Sequence, residues 1–146
     1  MSERAGGTMQ SRQPVHTVFG GAHLFRAGVA SRFGALALES LDSYAADAGE
    51  FGAAFGIDSP AAAERLCARV RAKLREEPVE DYRIDFEDGY GVRADAEEDG
   101  HAAAAAHGVA AGMAARSLPG RTGIRMKSFA PGERARCGRT LRRFLA

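Results

Sequence analysis

An α/β fold with a parallel sheet is predicted for this chain, and three observations predict it. Short strand-patterned segments alternate with long helix-patterned ones along the 146 residues. Glycine- or proline-containing breaks separate them, so the order reads strand, helix, helix, strand, helix, strand, helix. The composition, 45% hydrophobic and 27% charged, suits one globular core and is too apolar for a disordered chain. Strands separated by helices imply right-handed crossovers and parallel pairing.

The elements follow in order. Residues 14–19 alternate Val15, Thr17 and Phe19 with His16 and Val18, and the pair Gly20-Gly21 is a natural strand stop. A helix is predicted over 26–44, with Val29, Phe33, Leu36 or Ala37, Leu41 and Tyr44 along one face. Residues 47–59 read as a loop. Pro60 opens the next helix, which presents Leu66, Val70 and Leu74 on one side and Arg65, Arg69 and Lys73 on the other, until Pro78 ends it. A second strand over 82–88 runs into Gly89-Tyr90-Gly91. Asp95 with Glu98 three residues later forms a capping-box pattern for an alanine-rich helix to about Arg116. Pro119-Gly120 closes that helix, the third strand covers 122–129, and a last helix begins at Pro131 and carries Leu141, Phe144 and Leu145.

Composition excludes several classes of function. Twenty Lys and Arg stand against 19 Asp and Glu, a net charge of +1 that gives no reason to expect a nucleic acid or an anionic membrane. No apolar run approaches the ~20 residues of a membrane-spanning helix. Residues 1–13 are polar with Gly6-Gly7 and read as a disordered leader, which leaves 14–146 as the folded part. Cys67 and Cys137 stand far apart, outside any CxxC pattern, which points to a reducing cytoplasm. Three parallel strands also leave open sheet edges. The chain is therefore expected to be the first part of a larger α/β protein, such as a barrel of ~250 residues. A small three-stranded domain that dimerises through an edge is the alternative.

The segment Tyr82-Arg83-Ile84-Asp85-Phe86-Glu87-Asp88 carries the functional signal. Alternation puts Tyr82, Ile84 and Phe86 on one face and Arg83, Asp85 and Glu87 on the other. Strands of a parallel sheet are normally apolar on both faces, and burying charges costs several kcal/mol per ion unless they are paired, hydrated or metal-bound. The third strand offers partners, Arg125 and Lys127, two residues apart on one face. If the strands are neighbours, a carboxylate pair and a cationic pair face one space, with flanking helices expected to cover them. That is either an ion-pair network or a polar site, and strand ends are where α/β sheets build sites.

The stretch Arg83-Ile-Asp-Phe-Glu-Asp-Gly-Tyr-Gly, followed by a helix and Gly123-Ile-Arg-Met-Lys-Ser-Phe, resembles the second and third strands of the citrate lyase β-subunit and HpcH/HpaI aldolase superfamily. Residues 15–27 are similar to that family's first strand and turn, and the likeness is closest to an aldolase branch sometimes labelled phosphoenolpyruvate kinase. The resemblance implies a partial TIM (β/α)8 barrel, of which this chain supplies the first three or so parallel β/α units. It implies a Mg²⁺-dependent carbon–carbon lyase or aldolase acting on a small oxo acid or acyl-CoA thioester through a metal-stabilised enolate. Glu87 and Asp88 are then the catalytic carboxylates, and Arg125 and Lys127 bind substrate, Lys127 as a charge partner of the carboxylates. Asp85 and Glu87 stand behind the metal, whose own ligands are expected beyond residue 146, so the chain alone is expected to be inactive. His16 and Gly20-Gly21 replace the Arg start and Val-Pro turn usual in that family's first strand. Self-association into a homo-oligomer stays open.

Other patterns compete. Gly89-Tyr-Gly91-Val-Arg-Ala94 matches G-x-G-x-x-A, but Asp95, Glu97, Glu98 and Asp99 crowd the place a pyrophosphate would take, and no acidic residue follows about 20 positions on. His101 and His107, six apart, point to different helix faces and read as surface or packing residues. His23 is read as a loop hydrogen-bonding residue near the strand end. Arg134, Arg136, Arg139, Arg142 and Arg143 read as a solvated helix face. The reading from a different class is a non-catalytic α/β interaction domain whose charged strands form a structural ion-pair network.

Overall fold

The computed structural model describes residues 12–146. Its elements are β1 (Thr17–Gly21), a 3₁₀ turn (Ala22–Leu24), α1 (Val29–Tyr44), α2 (Ala48–Ala54), α3 (Pro60–Glu76), β2 (Asp81–Asp85), α4 (Asp95–Ala114), β3 (Arg121–Arg125) and α5 (Arg134–Leu145). The strands form one parallel sheet in the order β1-β2-β3. Gly21 and Arg125 lie opposite Asp85 on either side, so the carboxyl ends of all three strands are level. The mixed α/β class and the parallel sheet are as the alternating pattern predicts.

The core explains which face the helices cover. Tyr82, Ile84 and Phe86 are buried against Phe25, with α1 contributing Ala30 and α4 contributing Ala102 and Ala105. Removing such apolar area from water contributes about 25 cal/mol per Å², and the charged side offers nothing comparable. The helices expected to cover the charged residues therefore pack on the apolar face instead. On the other face Thr17 and Phe19 are exposed and β3 is half-buried throughout. A smaller cluster joins Phe51 of α2 to Cys67 of α3.

Several boundaries differ from the sequence pattern for local reasons. Residues 47–59 are not all loop: Asp47 caps α2 by accepting from the Glu50 N–H at 2.8 Å, and Glu50 reaches back to the Ala46 N–H at 3.0 Å. The Asp95/Glu98 capping box does not form; the N-cap is Ala94, and Glu98 turns inward. β1 runs through its two glycines, because a Cβ at Gly20 would strike the Tyr82 hydroxyl and one at Gly21 the Gly89 carbonyl. β2 stops at Asp85, whose carboxylate accepts from the N–H groups of Glu87 (2.8 Å) and Gly89 (2.9 Å) and turns the chain. The leader expected over 1–13 lies, up to residue 11, outside the described residues. Arg12 is tied to the sheet, its guanidinium 2.6 Å from Glu80 and its carbonyl accepting from Arg121 at 3.0 Å.

Candidate functional site

The level strand ends bring the acidic turn after β2 against the last residue of β3. Asp85, buried on the charged face, lies 3.5 Å from Arg125. The same guanidinium is 2.8 Å from Glu87 and 2.5 Å from Asp88, and it sits 5.3 Å from the Phe19 ring. The hydrogen bond to Asp88, together with the charges of Asp85, Asp88 and Glu87, outweighs burial and holds the Arg125 pKa above its ordinary value. Three carboxylates thus share one guanidinium. Glu87 and Arg125, which the sequence assigns to adjoining strands, do meet.

Lys127 does not join them. β3 ends at Arg125, so strand alternation no longer governs the chain two residues on. The Lys127 ammonium donates to the Phe86 carbonyl at 2.6 Å and lies 3.4 Å from Glu98 and 5.2 Å from the centre of the Tyr90 ring. Its carboxylate partner is therefore Glu98 of α4, not Asp85 or Glu87. Glu98 is fully buried, accepting from Thr140 at 2.5 Å and from Arg136 at 2.8 Å. Burial pushes its carboxyl pKa up, but the hydrogen bonds from Thr140 and Arg136 and the charges of Lys127 and Arg136 bring it below the ordinary value. Sequence reasoning took Glu98 for a capping residue. The signal that finds it is its place four and seven residues before Ala102 and Ala105, on the buried stripe of α4.

The same network corrects the basic helix. Arg136 and Arg139 are not a solvated face; they reach Glu98, Asp95 and Asp99 of α4 and hold the two helices together. Arg134 and Arg142 are exposed, as read. His107 is exposed on α4 and bonds the Ala103 carbonyl at 2.9 Å, while His101 meets the Tyr90 hydroxyl at 2.6 Å. Burial is the largest cause raising the Tyr90 hydroxyl, which is pushed up to about 12. The Nδ1 of His23 has no hydrogen-bond partner although it is buried, so the expected loop bond is not made there. Burial first, then the positive charges of Arg93 and His101, hold the His23 pKa below its ordinary value.

A cleft of about 380 Å³ opens beside these groups, lined by Glu87, Asp88, Lys127, Ser128 and Glu133. A groove of about 490 Å³ between α4 and α5 is larger but mainly apolar, with Ala103, Ala106, Ala110 and Phe144 among its walls. The polar cleft is where chemistry can be done. Its residues do not make a magnesium site by themselves. Asp85 is occupied by backbone donors, Glu87 and Asp88 by Arg125, and among the described residues no three potential ligands converge.

The molecule is thus an α/β domain with a charged cleft at the carboxyl ends of a parallel sheet. Its whole length, residues 1–146, matches the family model described as Domain of unknown function (DUF6986), and the chain belongs to that family. No curated protein and no solved structure matches it. No helix among the described residues is long and apolar enough to cross a membrane.

Proposed function

We propose that this domain forms the opening β/α units of a barrel-type, Mg²⁺-dependent carbon–carbon lyase of the citrate-lyase-β kind. Its substrate would be a small oxo acid or an acyl-CoA thioester, and the two buried, free cysteines agree with a cytoplasmic setting. The observation that carries the reading is the excess of carboxylates over guanidinium at the carboxyl ends of parallel strands, beside an open cleft. Unbalanced negative charge favours a cation close by. In this reading that ion's ligands come from later strands of the barrel.

The residues in hand have simpler tasks. Asp88 is 76% exposed, and an exposed ion pair contributes about 0–1 kcal/mol, so a substrate carboxylate or carbonyl oxygen can take its place on Arg125. Arginine suits the exchange because its planar fork offers two parallel donors. Asp85 and the Phe19 ring keep the guanidinium in place while partners change. Glu87 and the released Asp88 are then the carboxylates available to orient water or move a proton in the cleft.

A second reading has one observation in its favour. Every one of Asp85, Glu87 and Asp88 lies within 3.5 Å of Arg125, which a purely structural ion-pair network also requires. Arg125→Ala in the complete gene product separates the two. Loss of Mg²⁺-dependent 2-oxo acid release from hydroxy-acid or thioester substrates, with the circular dichroism unchanged, supports the lyase. Loss of folding alone supports the network, and enzyme-like turnover by residues 1–146 alone would contradict the expectation that this domain is incomplete.

A further inference from the structure

One face of α1 is uncovered among the described residues. The helix packs inward through Ala30 and Gly34, the latter against the Leu74 carbonyl and the Pro78 ring. With about 3.6 residues per turn, Arg32, Ala35, Leu36 and Glu39 then point outward. All four are exposed, and Leu36 keeps 47% of its surface in water. Arg32 and Glu39 stand about two turns apart on that face. Neither side chain has a partner among the described residues, whereas Asp42 on the same helix is paired with Arg71 at 2.5 Å.

Two hydroxyls on this side are already bonded within the helix. Ser40 donates to the Leu36 carbonyl at 2.9 Å and Ser43 to the Glu39 carbonyl at 2.8 Å. Both are folded against the backbone, so another helix can come close without stranding a donor. The outward stripe therefore reads cation, small apolar, large apolar, anion.

That order is its own complement when reversed. A second α1 laid antiparallel, with a two-fold axis between residues 35 and 36, sets Arg32 opposite Glu39 of the second copy and Leu36 over its Ala35. Each contact then occurs twice. A helix of another protein has to repeat the same order to fit as well. Single exposed apolar side chains are ordinary on a surface, but an unpaired cation and anion placed symmetrically about the apolar pair are what a second copy satisfies.

We infer that the outward face of α1 is a self-association surface, on which two copies of this chain pair antiparallel through Leu36 and Ala35 and close with two Arg32–Glu39 ion pairs. None of these residues lines the strand-end cleft, so the inference stands apart from the lyase reading. One helix pair buries less than the roughly 1,200 Å² of a stable interface, so the dimer is weak and reversible.

Sedimentation velocity on the 146-residue chain, from roughly 10 to 500 µM at low salt, tests this. Monomer should give way to dimer over that range, and added salt should weaken the association by screening the exposed pairs. Arg32→Glu and Glu39→Arg each set like charges across the axis and should weaken dimerisation roughly tenfold or more. Mixed in equal amounts, the two variants should pair with each other as the parent pairs with itself, because the acids of one meet the bases of the other. Leu36→Asp should abolish dimerisation. The changed side chains are all exposed, so circular dichroism should match that of the parent. A parent chain that stays monomeric overturns the surface. Variants that dimerise as well as the parent place the contact elsewhere, at an open sheet edge for example, and overturn it too. Charge reversals that do not recover on mixing overturn the antiparallel arrangement.

Discussion

At the amino ends of the strands Glu77 and Glu80 meet Lys73 and Arg12, two acids against two bases; at the carboxyl ends Asp85, Glu87 and Asp88 share Arg125. Glu80 is buried and well supplied, accepting from the Lys73 ammonium at 2.5 Å and the Val15 N–H at 2.7 Å, with Arg12 2.6 Å away. The Lys73 hydrogen bond first, then the Val15 N–H and the cationic charges, bring its carboxyl down to about 2. Charge at the amino end is matched within the fold, beside a cleft of about 240 Å³ that is smaller than the one at the carboxyl end. Charge at the carboxyl end is left partly unmatched, and there the surface opens into a cleft. The difference teaches that the density of ion pairs does not mark a site; their imbalance does.

The largest test of this contrast is steric. Gly21 ends β1 against the acidic turn, and a Cβ there would run into the Gly89 carbonyl, a backbone atom that cannot swing aside. Gly21→Ala is expected to cost about 2 kcal/mol or more in urea denaturation, because overpacking forces the turn to move. At the other end of the same strand the exposed Thr17 donates to Asp81 at 3.0 Å, and Thr17→Ala should cost about 1 kcal/mol or less. Equal losses would mean that the strand-end geometry is not specially fixed.

Charge removal should act with opposite signs at the two ends. Glu80→Gln leaves Lys73 and Arg12 with Glu77 as their shared carboxylate and is expected to lower the thermal midpoint. Asp88→Asn or Glu87→Gln relieves repulsion around Arg125 and should leave the midpoint unchanged or raise it slightly. A fall of the same size in all three would erase the distinction drawn between a balanced and an unbalanced end. The acid branch sharpens it further. The folded value of Glu80 lies near 2 against an ordinary 4.5, so its contribution is complete above 4.5 and fades as pH falls toward 2. Acid unfolding of Glu80→Gln should lack that part of the slope, and an identical slope would show that Glu80 is not the group responsible.

How much of this was legible in the sequence depends on what each residue's pattern could hide. Alternation of strand- and helix-patterned runs was enough for the α/β class and the parallel sheet, and neighbouring strands bring Glu87 to Arg125, although the register sets Asp85 opposite that arginine and Glu87 lies in the turn beyond β2. The ends of the strands were not legible, because they are fixed by side-chain bonds rather than by composition. Asp85 turns the chain by binding two backbone N–H groups, and β3 stops at Arg125, so Lys127 was assigned to a face it never joins. Glu98 was hidden behind a capping pattern that fits its spacing but not its partners on α5. The helix α2 was missed although Asp47 and Glu50 carry a capping signal of the same kind, because its glycines argued for a loop. Local signals named the right residue types and misjudged which distant side chain would claim them.

The smallest expected effect is the one that asks how dry the carboxyl end is. His23 lies in the 3₁₀ turn after β1, its ring 5.7 Å from that of Tyr90, and its buried Nδ1 has no partner. Burial, then the charges of Arg93 and His101, keep its folded pKa below the ordinary 6.5. Just below that pH the unfolded chain takes up a proton that the folded chain refuses, so stability falls as the solution is acidified. Between about pH 7.5 and pH 5.5 the thermal midpoint should drop, and His23→Phe, which keeps a ring beside Tyr90, should drop less by about a degree. The two ends would then yield to acid in separate windows, the carboxyl end near neutrality and the amino end only below 4.5. If parent and variant fall in parallel, His23 is hydrated in solution, and the turn that carries Asp85, Glu87 and Asp88 stands in water as freely as the exposed face of the sheet.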